Sequence, residues 1–206
     1  MRNLTVLILA AACTAFAADS SNTQRIEFPA GGTLRLLNST GELTIESWDQ
    51  ADIELTSIVS AKTPEQLARV RIAAERKGDQ LVVTTVLPRA RGTHLEYRIK
   101  APPSARLDIE HKTGEIHVIG MSGDMHVRGR MGQITVELPE EGHYGIDAKA
   151  KLGGIESDFA GDQAKKHRLG HTLLYDGPSP SQKLYLRIGF GDVTILKMRK
   201  PSPTQR

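Results

Sequence analysis

The chain has 206 residues, 39% of them hydrophobic but only 4% aromatic, and a formal net charge of +3. So few aromatic rings argue against a platform that stacks sugars or bases, and no basic run is interleaved with aromatics, which excludes nucleic acid as a partner. The length allows one domain with a core of its own.

The first element is an export signal. Arg2 gives a positive start, residues 4–12 form an apolar run broken by Thr5, and Ala15-Phe16-Ala17 places small residues where a signal peptidase reads them. The run is short of the roughly 20 residues that span a bilayer. Residues 1–17 therefore read as a cleaved signal peptide, with no integral membrane segment after cleavage and an exported location, periplasmic or extracellular. The alternative is a lipoprotein anchored at Cys13, although Ala10 stands where such signals carry Leu. Cys13 is the only cysteine, so cleavage after Ala17 leaves no disulfide, thiolate–zinc site or thiol nucleophile.

Residues 18–23 are a polar leader. From residue 24 the chain reads as short alternating strands, Arg25-Ile26-Glu27-Phe28, then Thr33-Leu34-Arg35-Leu36, with a turn at Asn38-Ser39-Thr40-Gly41. Leu43 to Trp48 and Ile53 to Val59 alternate in the same way. One helix is predicted over 64–76: Thr63 can cap it, Pro64 fits its first position, Leu67, Val70 and Ala74 share a face, and Gly78 stops it. Further strands follow at residues 81–86 and 95–99. Residues 159–181 read as a long loop around Thr172-Leu173-Leu174, and 198–206 as a disordered basic tail.

A nine-residue unit dominates residues 114–136. Gly114-Glu115-Ile116-His117-Val118, Gly123-Asp124-Met125-His126-Val127 and Gly132-Gln133-Ile134-Thr135-Val136 repeat glycine, polar, apolar, polar, apolar; Gly41 and Gly191 open two further copies. A strand of about five residues plus a turn of about four makes one unit, and two units make a coil of about 18 residues. One such coil cannot offset a backbone ordering cost of about 1–2 kcal/mol per residue, so coils must stack to share an interior. The predicted fold is all-β, a β-solenoid or β-helix-like stack of short strands with one short helix, spanning residues 24–197. An antiparallel β-sandwich is the alternative, since strands at this spacing suit it too.

The run Asn38-Ser39-Thr40-Gly41-Glu42-Leu43-Thr44-Ile45, followed by Trp48-Asp49, resembles the opening of the bacterial "putative adhesin" domain family, and the units at 114, 123, 132 and 191 resemble its repeated body. The resemblance covers about residues 24 to 197. It implies an exported, β-helix-like domain of unknown function and carries over no catalytic residues. The repeat breaks between Gly142 and Ser181, which departs from the family pattern.

Candidate chemistry is sparse. His117 and His126 hold equivalent positions, but units nine apart fall on opposite walls of a coil, so they read as separate solvent-facing residues. Calcium-binding nonapeptide solenoids need paired glycines and an Asp in every turn, whereas the second position here runs Glu115, Asp124, Gln133. His167 and His171, with Asp162 and Asp176 near, would suit zinc on a helix, but Gly170 lies between them and they read as a polar loop. Asp147, Asp158 and Asp162 would have to converge in one cleft to act as acid and base of a polysaccharide-cleaving enzyme. Gly189-Phe190-Gly191 reads as a hairpin turn, and Trp48 as a strand-end core residue or an exposed ligand contact. No catalytic, cofactor-binding or metal-ligating residue is assigned, and no cofactor is predicted. The expectation is a non-enzymatic cell-envelope interaction module that displays Thr44, His117, His126, Thr135 and Thr194 at fixed intervals to an unidentified envelope or extracellular partner, protein or glycan. The alternatives are an envelope carbohydrate-active enzyme on the same scaffold and a purely structural spacer.

Overall fold

The computed structural model describes residues 18–87 and 92–198. The expected signal peptide with Cys13 and the tail beyond Met198 lie outside the described residues.

The described chain is all-β. Its elements are β1 (Ala18–Ile26), β2 (Thr33–Ser47), β3 (Ile53–Ala61), α1 (Pro64–Leu67), β4 (Arg71–Lys77), β5 (Gln80–Val86), β6 (Thr93–Ala101), β7 (Arg106–Ile119), β8 (Met125–Leu138), β9 (Tyr144–Leu152), β10 (Ile155–Ser157), a 3₁₀ turn (Gly161–Gln163), β11 (Lys165–Lys166), β12 (His171–Asp176) and β13 (Gln182–Lys197). They form one open, mixed sheet whose main path runs β1-β3-β6-β2-β7-β8-β13-β9-β12-β11. Neighbours from β6 to β9 along this path pair in parallel, and the flanking pairs β1–β3, β3–β6, β4–β5, β9–β12 and β11–β12 are antiparallel.

Strands β2, β7, β8 and β13 each carry a glycine at positive φ: Gly41, Gly114, Gly132 and Gly191. These glycines lie in register, Gly41 beside Gly114, Gly114 beside Gly132, Gly132 beside Gly191. Alternate residues on both sides of the glycine enter one core, Leu107 and Ile109 before Gly114, Ile116 and Val118 after it. Each long strand thus bends at its glycine, and the sheet folds into two walls around a shared interior. We call the N-terminal halves the first wall and the C-terminal halves the second. The Thr85 hydroxyl on β5 in the first wall and the Tyr97 hydroxyl on β6 in the second are hydrogen-bonded across the interior at 2.7 Å.

The register repeats every 18 residues where the chain is continuous: Leu107 pairs with Met125 and Ile116 with Ile134. Pairs of shorter strands extend the stack at each end. β5 pairs the first-wall half of β2 and β6 its second-wall half. At the other end β9 and β10 pair the two halves of β13. Strand β13 enters between β8 and β9, so spatial order departs from chain order.

Several expectations need correcting. The helix over 64–76 stops at Leu67, and residues 71–77 form β4. Ile72 and Ala74 are spaced for a strand as well as for a helix, and pairing with β5 decides the matter. Gly78 (φ 64°) sits in the two-residue connection between paired Lys77 and Gln80, a hairpin turn rather than a helix stop. Asn38-Ser39-Thr40-Gly41 does not separate two strands; it is the irregular corner within β2, with Asn38 also at positive φ. Gly189-Phe190-Gly191 likewise lies inside β13 and is not a hairpin turn. The reason is common to both: a positive-φ glycine beside another strand's glycine can redirect a strand without breaking its ladder. Residues 18–23 pair along their whole length as the first part of β1, so the strand begins before residue 24.

Candidate functional site

Outward side chains of the first wall stand in rows across the strands, which lie about 4.8 Å apart. One row runs Arg35, Asp108, His126, Tyr185, Asp147, Leu174. Arg35 Nε is 3.1 Å and His126 Nδ1 is 3.2 Å from the two oxygens of Asp108. The Tyr185 ring tilts against His126 at 4.7 Å between centroids, and the Arg187 guanidinium lies 3.7 Å from its centre. This row borders a groove of about 650 Å³ that extends to Arg106, Asp124 and Lys183 at the strand starts.

The next row runs Glu110, Arg128, Arg187, Lys149, Thr172, Lys165. Arg128, Arg187 and Lys149 are thus direct neighbours on β8, β13 and β9, an arrangement that is destabilising unless something negative answers it. Two carboxylates answer in part. Arg128 meets Glu110 at 2.7 Å, and Arg187 donates to the Asp147 carboxylate at 2.6 Å and its carbonyl at 2.7 Å. Among the described residues Lys149 and Lys165 have no carboxylate within ion-pair distance. Two residues further along β7, β8 and β9 the exposed Lys112, Arg130 and Lys151 add to the same patch. Cations in rows on a rigid wall sum to a positive field over that face.

One row of the second wall carries the opposite sign. Glu96, Glu42, Glu115, Gln133 and Asp192 form one outward row. Beside it lie Thr44, His117, Thr135 and Thr194, in register on adjacent strands. Four of the five expected display residues therefore do share a row, but Thr135 is only 7% exposed and displays little. His126, the fifth, faces outward on the first wall, so His117 and His126 stand on different walls.

The other candidates are dispersed. His167 Nε2 and the Thr172 hydroxyl lie 2.8 Å apart in the β11–β12 hairpin, and His171 Nδ1 donates to the Gly153 carbonyl at 2.7 Å. Asp147 is held by Arg187 on the first wall, whereas Asp158 follows β10 on the second and accepts the Lys197 backbone N–H at 3.0 Å. The structure does not bring these two carboxylates together. The side chain of Asp162 lies outside the described residues. Trp48 is half-buried; its indole N–H donates to the Asp52 carbonyl at 2.8 Å, and Arg25 and Lys100 lie 5.3 and 5.6 Å from its ring. It is neither a core residue nor a free contact.

The basic row was missed because its members are scattered in sequence. A signal did exist: counting back four residues from Gly132, Gly191 and Gly153 gives Arg128, Arg187 and Lys149. That count requires recognising Gly153 as a corner, and no nine-residue unit surrounds it.

No protein-family model and no curated protein matches the chain. Among solved structures it is similar to a "putative cell adhesion protein" from Clostridium sporogenes, with a TM-score of 0.55 at 14% identity, over 88% of this chain and 100% of that one. A "putative adhesin" from Bacteroides fragilis superposes less closely, with a TM-score of 0.35 at 11% identity, over 86% and 97% of the two chains. The likeness to the clostridial protein is one of fold. Among the described residues no helix is long and apolar enough to cross a membrane.

Proposed function

We propose that the chain is an exported, non-enzymatic, adhesin-like module built as a short β-solenoid, and that its first wall binds an anionic polymer of the cell envelope. The observation that carries this reading is the row Arg128–Arg187–Lys149, three cations at the spacing of adjacent strands. The solenoid reading is supported by the 18-residue offset between β7 and β8 and by glycine corners that align from coil to coil. Rigid ladders hold the cations at fixed intervals before any ligand arrives, so little conformational freedom is lost on binding. The groove beside the row supplies the Tyr185 edge and further polar groups for a sugar backbone. Recognition of this kind rests on charge rather than aromatic stacking, in keeping with the low aromatic content. The enzyme alternative draws no support from Asp147 and Asp158, which stand on different walls.

The test is titration of the protein with an acidic polysaccharide such as polygalacturonate and with neutral dextran. Binding to the acidic polymer alone is expected. It should weaken as salt screens the charges and be lost in Arg128→Glu/Lys149→Glu. Equal affinity for dextran, or an unchanged affinity in the double variant, would remove this reading, and binding to neither polymer would favour the spacer. N-terminal mass spectrometry of the exported protein should place its first residue at Ala18.

A further inference from the structure

The sheet has four edges, two at each end of the stack, and three carry features that discourage pairing with another chain. β4 bears Arg71, Glu75, Arg76 and Lys77; β11 is two lysines long; β10 has three residues. Short length and charge, especially lysine, are the usual ways an edge is blunted. β1 has neither. It is nine residues of unbroken register against β3, without proline, lysine or bulge, and residues 19–25 are exposed. Its side chains are small and polar apart from Asp19 near one end and Arg25 near the other.

We propose that β1 is a pairing edge and that its occupant is β1 of a second copy, running antiparallel. Full overlap of a strand with itself must centre on its middle residue, which in β1 is Asn22. Asn22 then faces its own counterpart, and Asp19 of each copy stands directly opposite Arg25 of the other. Opposed residues of an antiparallel pair point to the same face, so both charge pairs form at once. They also extend a row already present. Glu46, Lys100, Glu54 and Arg25 are successive neighbours across β2, β6, β3 and β1, with Lys100 and Arg25 at 3.1 and 3.2 Å from Glu54. Signs alternate along that row, and Asp19 of the second copy continues the alternation. The contact is two-fold symmetric, so it closes as a dimer instead of growing into a fibre. It leaves the first wall of each copy free and does not depend on the anionic-polymer reading.

Sedimentation over a concentration series should show a monomer–dimer equilibrium. Asp19→Arg sets like charges opposite each other twice and should weaken the dimer about tenfold, and Asp19→Arg/Arg25→Asp should restore it. In a Cys13→Ser background, Asn22→Cys should give a disulfide-linked dimer under mild oxidation, whereas Thr56→Cys on the neighbouring strand should not. A monomer at every concentration would overturn the proposal. So would a dimer that ignores the Asp19→Arg change, that the charge swap fails to restore, or that Asn22→Cys does not cross-link.

Discussion

At one end of the stack the last coil is β9 and β10; at the other it is β5 and β6. β9–β10 keeps the pattern of the central strands. It runs in constant register with β13, Tyr144 beside Gln182 and Ile155 beside Val193, and Gly153 turns its corner at positive φ. β5–β6 does not: Leu95 rather than glycine lies beside Gly41. The ladder of corners has a direction that explains the difference. A Cβ on Gly41 would run into the Leu95 carbonyl, on Gly114 into that of Gly41, on Gly132 into that of Gly114, on Gly191 into that of Gly132, and on Gly153 into that of Gly191. Each coil must therefore carry glycine because of the neighbour on its β6 side. The β5–β6 coil has no parallel coil beyond it and is released from the requirement. At the far end the last carbonyl of the ladder, that of Gly153, has no further coil to face and is taken by His171 of the covering strand β12.

Alanine substitution along this ladder tests the account most severely. Gly132→Ala puts a methyl group against the Gly114 backbone at φ 131° in the middle of the stack, where strands on both sides resist displacement. A loss of about 3–5 kcal/mol is expected, from steric overlap and backbone strain together. Gly153→Ala meets a carbonyl in the same way, but at the end of the stack, where short β10 can shift, and should cost about 2–3 kcal/mol. Gly78→Ala, in the β4–β5 hairpin with nothing within 4 Å of the added methyl, should cost about 1 kcal/mol for φ 64° alone. Denaturant unfolding of the three variants checks the order. Equal losses would mean that local backbone conformation, and not contact between coils, sets the requirement for glycine.

The same direction accounts for what the sequence could tell. Where Gly114 and Gly132 recur at the coil length, the repeat is legible, and with it the inward positions Ile116, Val118, Ile134 and Val136. The corner itself was not. Glycine followed by alternating residues is a turn by local rules, and only the neighbouring carbonyl, supplied by a residue 18 to 73 positions away, makes it a bend within one strand. β4 was hidden for a related reason: residues 71–77 suit either periodicity, and the choice lies with β5. The first-wall cations were visible as residues but not as neighbours, because β13 enters the stack between β8 and β9 against chain order.

Each end coil contains one hydrogen bond that joins separate strands, Thr85–Tyr97 in β5–β6 and His171–Gly153 at β9–β10, which gives a finer test. Tyr97 is buried, its hydroxyl bonded only to Thr85 among the described residues, and burial pushes its pKa up to about 12. Tyr97→Phe leaves the Thr85 hydroxyl unpartnered inside the β5–β6 coil and should cost about 1–2 kcal/mol. His171→Ala opens the Gly153 carbonyl to water near the surface and should cost roughly 1 kcal/mol or less. If His171→Ala proves the more damaging in thermal unfolding, the β9–β10 end depends on its cap more than on its register.

The smallest effect expected concerns the corner shared by β2 and β7, next to the exceptional end. His111 is 3% exposed; its Nε2–H donates to the Gly41 carbonyl at 3.2 Å, and its Nδ1 lies 2.9 Å from the Ser39 hydroxyl, which also reaches the Glu110 carbonyl at 3.4 Å. Burial, the principal cause, holds the imidazole below its ordinary pKa of 6.5, while hydrogen bonds to the Gly41 and Thr113 backbones pull the other way. The unfolded chain therefore takes up a proton at a pH where the folded chain does not. Stability is complete above pH 6.5 and falls as the pH drops from there towards the folded-state pKa. Melting temperatures from about pH 7.5 to about pH 5 should decline for the native chain and less steeply for His111→Gln, which keeps a donor and an acceptor but does not titrate. Parallel profiles would place the acid sensitivity elsewhere and leave the β2–β7 corner held by its glycines alone.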